Sequence, residues 1–328
     1  MGLQERAAET QHIFDLYGTM VTIRAFEEAA IKARAAGDIR GSVHPYVGQE
    51  AIATAVCAHL RPQDLITSNH RGHGHSIAKG ADPGGMMKEL FGRVGGTSGG
   101  KGGSMHIADF SVGMMGANGI LADGIPIAVG AAQASVLLEE DRIVVCFHGD
   151  GATNRGPFFE GLNWAMVYHL PVLFVCEDNM YASSTRTSVV SAGPGPAARA
   201  ESFGMPARTV DGNDIVAVDE VAAELIAEVR NGGGPRFLHA KTYRVLGHIS
   251  TDTLLYREPG ETERYLERDP IPRCERWLRE QGVSAEEIKA VQRDAAGTIA
   301  VAVEAAAKAP APDASVAFQD VQDVGGPA

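Results

Sequence analysis

Apolar residues near the start of the chain recur at helical spacing: Ile13, Leu16, Tyr17, Met20, Ile23 and Phe26. That period predicts a helix with one buried stripe over the first forty residues. Farther along, the pattern changes. Residues 142–148 (RIVVCFH) form a short apolar run rich in β-branched side chains, as in strands covered on both faces. Helical spacing returns with Phe158, Phe159, Leu162, Ala165, Met166 and His169, and Pro171 then stops the helix. Residues 170–176 read as a second buried strand. Together these segments predict one βαβ unit, and similar alternation runs from about 60 to 245. The fold class expected is α/β: a doubly wound, mostly parallel sheet with helices on both faces. Residues 1–308 are expected to form one domain with helical extensions at both ends. Residues 309–328, rich in Ala, Pro and Asp, are expected to be a flexible tail whose Val316 and Phe318 could dock on a neighbour.

The βαβ reading has a chemical consequence. Parallel neighbours place their carboxyl ends side by side. Asp150 in Gly149-Asp150-Gly151-Ala152 and Asn179, 29 residues later, should then face one crevice. One carboxylate, one amide oxygen and Gly-rich backbone suit Mg2+ with phosphate oxygens completing its shell. The same residues would also serve a tight strand-to-helix turn with a capping Asp.

The whole run GDGATNRGPFFEGLNWAMVYHLPVLFVCEDNMYASST resembles the thiamine-diphosphate motif of transketolase-type enzymes. More narrowly, it is similar to α subunits of the heterotetrameric E1 component of 2-oxo acid dehydrogenase complexes, of the pyruvate and acetoin type. Further blocks carry the likeness in order: HPYVGQEA, ITSNHRGHGHSIAKG, GGKGGSMHIAD, GANGILADGIPIAVGAA and KTYRVLGHISTD. The resemblance implies thiamine diphosphate and Mg2+ as cofactors. It makes Asp150, Asn179 and the Tyr181 carbonyl the metal ligands. Gly151 and Ala152 would present backbone N–H groups to the diphosphate, with Arg71 and His70 beside it. Gly119 and Leu121 would touch the aminopyrimidine, Leu121 holding the cofactor bent. His73 and His248 would be the catalytic histidines, His248 also touching cofactor, and Ser42 and His44 would line the substrate pocket.

The implied reaction is cleavage of a pyruvate-like 2-oxo acid or of acetoin, followed by acyl transfer to a lipoyl arm on an E2 acyltransferase. This chain lacks a second α/β unit for the pyrimidine half, so the resemblance implies a β subunit and an α2β2 assembly. A specialised carboligase or decarboxylase without a lipoyl partner, and an inactive regulatory or scaffolding paralogue, are the rival readings. The second rival predicts loss of a cofactor ligand, whereas Asp150, Asn179 and Arg71 are all present. Departures from the family pattern are Ser42 for Phe, Leu246 for His, Arg155 for Gln and Asp123 for Gly or Ala.

Composition narrows the field. A net charge of −12 argues against nucleic acid or an anionic membrane as main partner. No signal sequence opens the chain and no apolar run reaches spanning length, so a cytoplasmic protein is expected. The scattered Cys57, Cys146, Cys176 and Cys274 read as reduced cysteines. Gly95, Gly100 and Lys101 mimic P-loop spacing, but Gly102 stands where Mg2+ would need Ser or Thr. His70, His73 and His75 lack the further ligand a Zn2+ site needs within their loop. His12, His59, His148, His169 and His239 read as ordinary core or surface histidines.

Overall fold

Six parallel strands form the sheet, the two central ones buried almost throughout and the edge strands less so. In the computed structural model, which describes residues 3–319, the strands are β1 (Leu65–Asn69), β2 (Met114–Asn118), β3 (Val144–Gly149) and β4 (Val172–Asp178). A two-residue hairpin, β5 (Tyr181–Ala182) with β6 (Thr185–Arg186), follows, and then β7 (Ala207–Asp211) and β8 (Arg236–Lys241). The sheet order is β2-β1-β3-β4-β8-β7. The order therefore reverses beside β1, and that reversal opens a crevice at the carboxyl edge between β1 and β3.

Strand alternation divides the core. Val145, Phe147, Leu173, Val175, Leu238 and Ala240 face one layer. Val144, Cys146, Val172, Phe174, Cys176 and Phe237 face the other. Helices α1 (Leu3–Ala36), α2 (Glu50–Ala58), α8 (Ile215–Glu228) and α10 (Pro270–Glu280) pack on the first face. On the second lie α5 (Gly124–Leu137), α6 (Gly156–Val167) and α7 (Pro196–Glu201). The short α3 (His73–Lys79) leaves the end of β1, and α9 (Glu261–Leu266) follows β8. A separate apolar cluster joins α1 to α4 (Pro83–Leu90) and α11 (Ala285–Lys308).

Several boundaries differ from the expected ones for local reasons. Helix α1 stops at Ala36 because Gly37 adopts a left-handed φ of 89° and the Asp38 N–H turns back to the Ala33 carbonyl. The α/β alternation was expected to run to about 245, but β8 ends at Lys241. Beyond it Thr242 and Arg244 donate N–H groups to Asp178 and Asn179 carbonyls in the turn after β4, so the chain peels toward the crevice. In the segment after α11, Val94 donates its N–H to the Pro310 carbonyl, and residues 314–318 form a 3-10 turn. Val316 is half-buried and Phe318 exposed, while 320–328 of the expected tail lie outside the described residues.

All four cysteines are buried thiols. Among the described residues no helix is long and apolar enough to cross a membrane.

The glycine loop after α4 is organised by a buried carboxylate. Glu89 Oε2 accepts N–H groups from Ser98 and Gly100 at 2.8 Å each, and Oε1 those of Gly102 and Gly103 at 2.7 and 3.1 Å. Fold, not a nucleotide, consumes those amides. Glu89→Gln should leave at least one pair of buried N–H groups facing an NH2 group. A loss of about 3 kcal/mol is expected, since hydrogen bonds to charged groups contribute ~1.5–3 kcal/mol. Urea unfolding checks it, and an unchanged midpoint would remove Glu89 as the loop's anchor.

Candidate active site

Side chains from the carboxyl ends of β1, β3 and β4, and from the segment after β8, line a cavity of about 340 Å3. At the end of β1, Asn69 Oδ1 accepts the Arg71 N–H at 2.8 Å and turns the chain. A Cβ on Gly72 would lie 2.7 Å from that of Ala117, so only glycine fits there. The turn buries the Arg71 guanidinium, which donates to the Pro45 carbonyl at 3.0 Å and to His248 Nδ1 at 3.1 Å. Burial, with Arg244 nearby, lowers the Arg71 pKa to about 9. Arg244, almost wholly enclosed, donates to the Tyr181 and Ser183 carbonyls and the Tyr256 hydroxyl. Neither guanidinium has a carboxylate ion-pair partner among the described residues. Two such charges facing one cavity make it a receptor for an anion.

His44, His70 and His248 surround Arg71 with ring centroids 5.0–5.4 Å apart. Burial, then the charge of Arg71, holds them at about 3, 2 and 4 respectively, so all three are neutral at pH 7. Because a guanidinium only donates, His248 Nδ1 must accept. The imidazole proton therefore sits on Nε2. The His248 backbone N–H is held by Asp252 Oδ2 at 2.8 Å, which fixes the loop.

Across the cavity, Asp150 ends β3 and begins a 3-10 turn, Asp150–Asn154. Helix α6 starts only at Gly156, so the element next to Asp150 is this turn, not the helix N-terminus expected from sequence. The Gly151 N–H goes to Asp150 Oδ1 at 3.0 Å, and Thr187 donates its hydroxyl to Oδ2. Burial, then Asp178, pushes the Asp150 carboxyl up to about 7. A Cβ on Gly151 would come within 2.9 Å of Ala182, which keeps the floor bare beside Ala152. Asn179 donates Nδ2 to Gln49 Oε1 at 3.0 Å, and its Oδ1 accepts the Tyr181 N–H at 3.3 Å. Met180 between them has φ of 73°, a conformation costly for a side chain with Cβ. That kink lets the Asn179 side chain and the Tyr181 carbonyl serve one region. The Tyr181 hydroxyl is anchored on Glu261 at 2.7 Å.

Gly119 and half-exposed Leu121 form the opposite wall, at the mouth of α5. Asp123 finds its role here: its Oδ2 accepts from Asn118 Nδ2 at 3.0 Å and shapes this loop. Leu246 packs beside Tyr181 and Tyr243, and Arg155 is exposed.

Two expected residues stand elsewhere. His73, read from sequence as catalytic, is fully enclosed behind the cavity and does not line it. Its Nδ1 meets the Glu27 carboxylate at 3.0 Å and its Nε2 the Ser104 hydroxyl at 3.0 Å, so both nitrogens are committed. It bridges Glu27 of α1 and Ser104 of the glycine loop. Ser42, read as lining the substrate pocket, is exposed and outside the lining, whereas His44 lies within it. Arg244, Thr187 and Glu177 are the residues sequence reading missed. Glu177 lines the cavity and takes the Tyr46 hydroxyl and His75 Nε2. Arg244 and Glu177 carried a signal, Arg244 as a basic residue within the KTYRVLGHISTD block and Glu177 within the run that ends in CEDNMYASST, whereas Thr187 lies beyond that run.

Residues 18–315 match the dehydrogenase E1 component family. This chain is a dehydrogenase E1 component. Among curated relatives, the α subunit of acetoin:2,6-dichlorophenolindophenol oxidoreductase from Cupriavidus necator is 45% identical over 315 residues, covering 95% of each chain. The Bacillus subtilis protein of the same name is 44% identical, covering 93% of this chain and 92% of its own. The pyruvate dehydrogenase E1 component α subunit of Rhizobium meliloti is 36% identical, covering 93% of this chain and 88% of its own. The E1 component described here is accordingly of the α-subunit type, an oxidoreductase component with a ThDP-type α/β fold.

Proposed function

We propose that this E1 α chain binds thiamine diphosphate with Mg2+ at the sheet-edge cavity and cleaves acetoin or a pyruvate-like 2-oxo acid. The observation that carries the proposal is the pairing, across one cavity, of hard oxygen donors with two guanidiniums that have no carboxylate ion-pair partner among the described residues. The residues present fit the cofactor. Asp150, Asn179 Oδ1 and the Tyr181 carbonyl are an oxygen set suited to Mg2+. The raised Asp150 pKa marks a buried carboxyl that calls for a proton or a cation. Arg71 and Arg244 suit a diphosphate, and bare Gly151 leaves room for it. When bound, thiamine diphosphate supplies the carbon nucleophile and electron sink for breaking a C–C bond beside a carbonyl.

The protein's own part is orientation and proton handling. His248 holds a proton on Nε2 and offers it to a substrate oxygen, with its tautomer set by Arg71. His44 and His70, neutral and flanking, shape the substrate end without adding charge. Higher identity to the acetoin-named relatives than to the pyruvate-named one supports acetoin as the preferred substrate. A lipoyl arm on an E2 acyltransferase is the proposed acyl acceptor.

A β subunit is part of the same proposal. Helices α5 and α6 expose Ile127, Val136, Leu137, Trp164, Val167 and Tyr168, an apolar surface a folded monomer seldom leaves bare. Trp164 and Gln133 join the two helices across it. An α2β2 assembly would cover such surface and complete the cofactor's pyrimidine side. The α chain alone is expected to reduce an artificial electron acceptor with acetoin at background level, and to become active on addition of its β chain. Robust turnover by the isolated chain would replace the heterotetramer with a homo-oligomeric enzyme. No ThDP- and Mg2+-dependent turnover by the α/β pair, with either acetoin or pyruvate, would overturn the substrate class.

A further inference from the structure

Away from the cavity, three side chains from distant parts of the chain converge. His12 projects from α1, His59 caps the end of α2, and Asp219 lies in α8. His12 Nε2 is 3.0 Å from each Asp219 oxygen, and His59 Nε2 is 2.8 Å from Oδ1. Their donor atoms all lie within 4.8 Å of one another. None of the three lines the sheet-edge cavity.

We propose that His12, His59 and Asp219 form a binding site for a divalent transition ion of the Zn2+ type, separate from the catalytic centre. Two imidazoles and one carboxylate form a donor set suited to such ions, whereas Mg2+ favours oxygen alone. The dimensions agree. An ion with ligands at about 2.1 Å in tetrahedral geometry holds its donors about 3.4 Å apart. The imidazole–carboxylate distances of 3.0 and 2.8 Å would open by about 0.4 and 0.6 Å, and the spacing between the two imidazole donors, at most 4.8 Å, would settle to the same value. The donors are also held in place before any ion arrives, because each adjoins deeply buried neighbours: Ile13 beside His12, Val56 and Cys57 near His59, and Val218 beside Asp219. All three remain half-buried, not sealed, which leaves an entry path and a position for water.

Ligation through Nε2 requires its lone pair, so an ion binding there would replace the contacts of His12 and His59 with the Asp219 carboxylate, and any proton on Nε2 would move to Nδ1 or be released. The ion would clamp the N-terminal helix to α2 and α8, and by mass action would stabilise the folded chain.

The test uses the full-length chain, stripped with chelator and returned to buffer containing millimolar Mg2+ to occupy oxygen sites. Zn2+ is titrated by calorimetry, and Co2+ replaces it to report ligand geometry by visible absorption. Wild type is expected to take up one Zn2+ per chain, to melt at higher temperature with it, and to give the intense Co2+ bands of a low-coordinate site. Asp219→Asn is expected to weaken uptake by about a hundredfold, since even residues behind the ligands contribute roughly 10–100-fold. His12→Gln, on the most exposed ligand, serves as the second variant should Asp219→Asn fold poorly. Uptake equal to wild type in His12→Gln, or no Zn2+-dependent rise in wild-type melting temperature, would show that the carboxylate merely bridges two imidazoles.

Discussion

Asp150→Ala is expected to abolish Mg2+-dependent thiamine diphosphate binding by the α/β assembly, with titration calorimetry giving no saturable heat. The carboxylate is the only anionic group in the proposed metal set, beside Asn179 and the Tyr181 carbonyl. Without it the cation loses its strongest tie and the diphosphate its bridge. The same substitution should act oppositely on the cation-free fold. Burial and Asp178 raise the Asp150 pKa from an ordinary aspartate value to about 7. The folded state therefore holds a proton that the unfolded chain has released, and the stability from this group fades as pH climbs from about 4 through 7. In Mg2+-free buffer the wild type should lose more stability than Asp150→Ala between pH 5 and pH 8, as read by urea midpoints. Wild-type cofactor affinity in the variant would sink the metal assignment.

His248→Ala should separate chemistry from binding. Asp150, Asn179 and both guanidiniums stay in place, so thiamine diphosphate affinity should change little. Turnover should fall by roughly a hundredfold or more, the usual contribution of a positioned acid–base group. The loss should fall on kcat, because the Nε2 proton matters most as charge develops on the substrate oxygen. His248→Gln keeps an acceptor for Arg71 but cannot exchange a proton in the same range, so it should bind as well and remain slow. Turnover within about twofold of wild type in both variants would make His248 a packing residue.

The convergence of Asp150 and Asn179 on one crevice was legible because it is local. Asp150 and Asn179 sit at the ends of two strands joined by one helix, and the period of the apolar residues reveals that unit. His248 was legible through the KTYRVLGHISTD block, although β8 stops at Lys241 and irregular backbone carries the chain onward to it. What could not be read depends on distant contacts. Thr187 reaches Asp150 from a turn beyond the β5–β6 hairpin, and Arg244 is held at the cavity wall by the Tyr181 and Ser183 carbonyls of that hairpin and by the Tyr256 hydroxyl. His73 shares a short loop with His70 but lies apart from the cavity lining. A glycine between them starts α3, whose first turn points His73 inward to Glu27. Ser42 behaves similarly: proximity to His44 in sequence does not survive the turn into the buried segment from Val43 onward.

The order of strands also sorts the cavity by resistance to opening. Asp150 and Asn179 hang from β3 and β4, each hydrogen-bonded on both sides at the centre of the sheet. Gly119 and Leu121 follow β2, an edge strand whose register with β1 slips between Ile66 and Thr67. Backbone amides behind Asp150 and Asn179 should then exchange with solvent only as the whole domain unfolds, whereas those near Gly119 should exchange through small openings. A ligand spanning both walls would slow exchange at the edge and hardly alter the centre. The cavity behaves as a fixed anvil under a looser jaw, and its grip on any ligand is decided at the jaw.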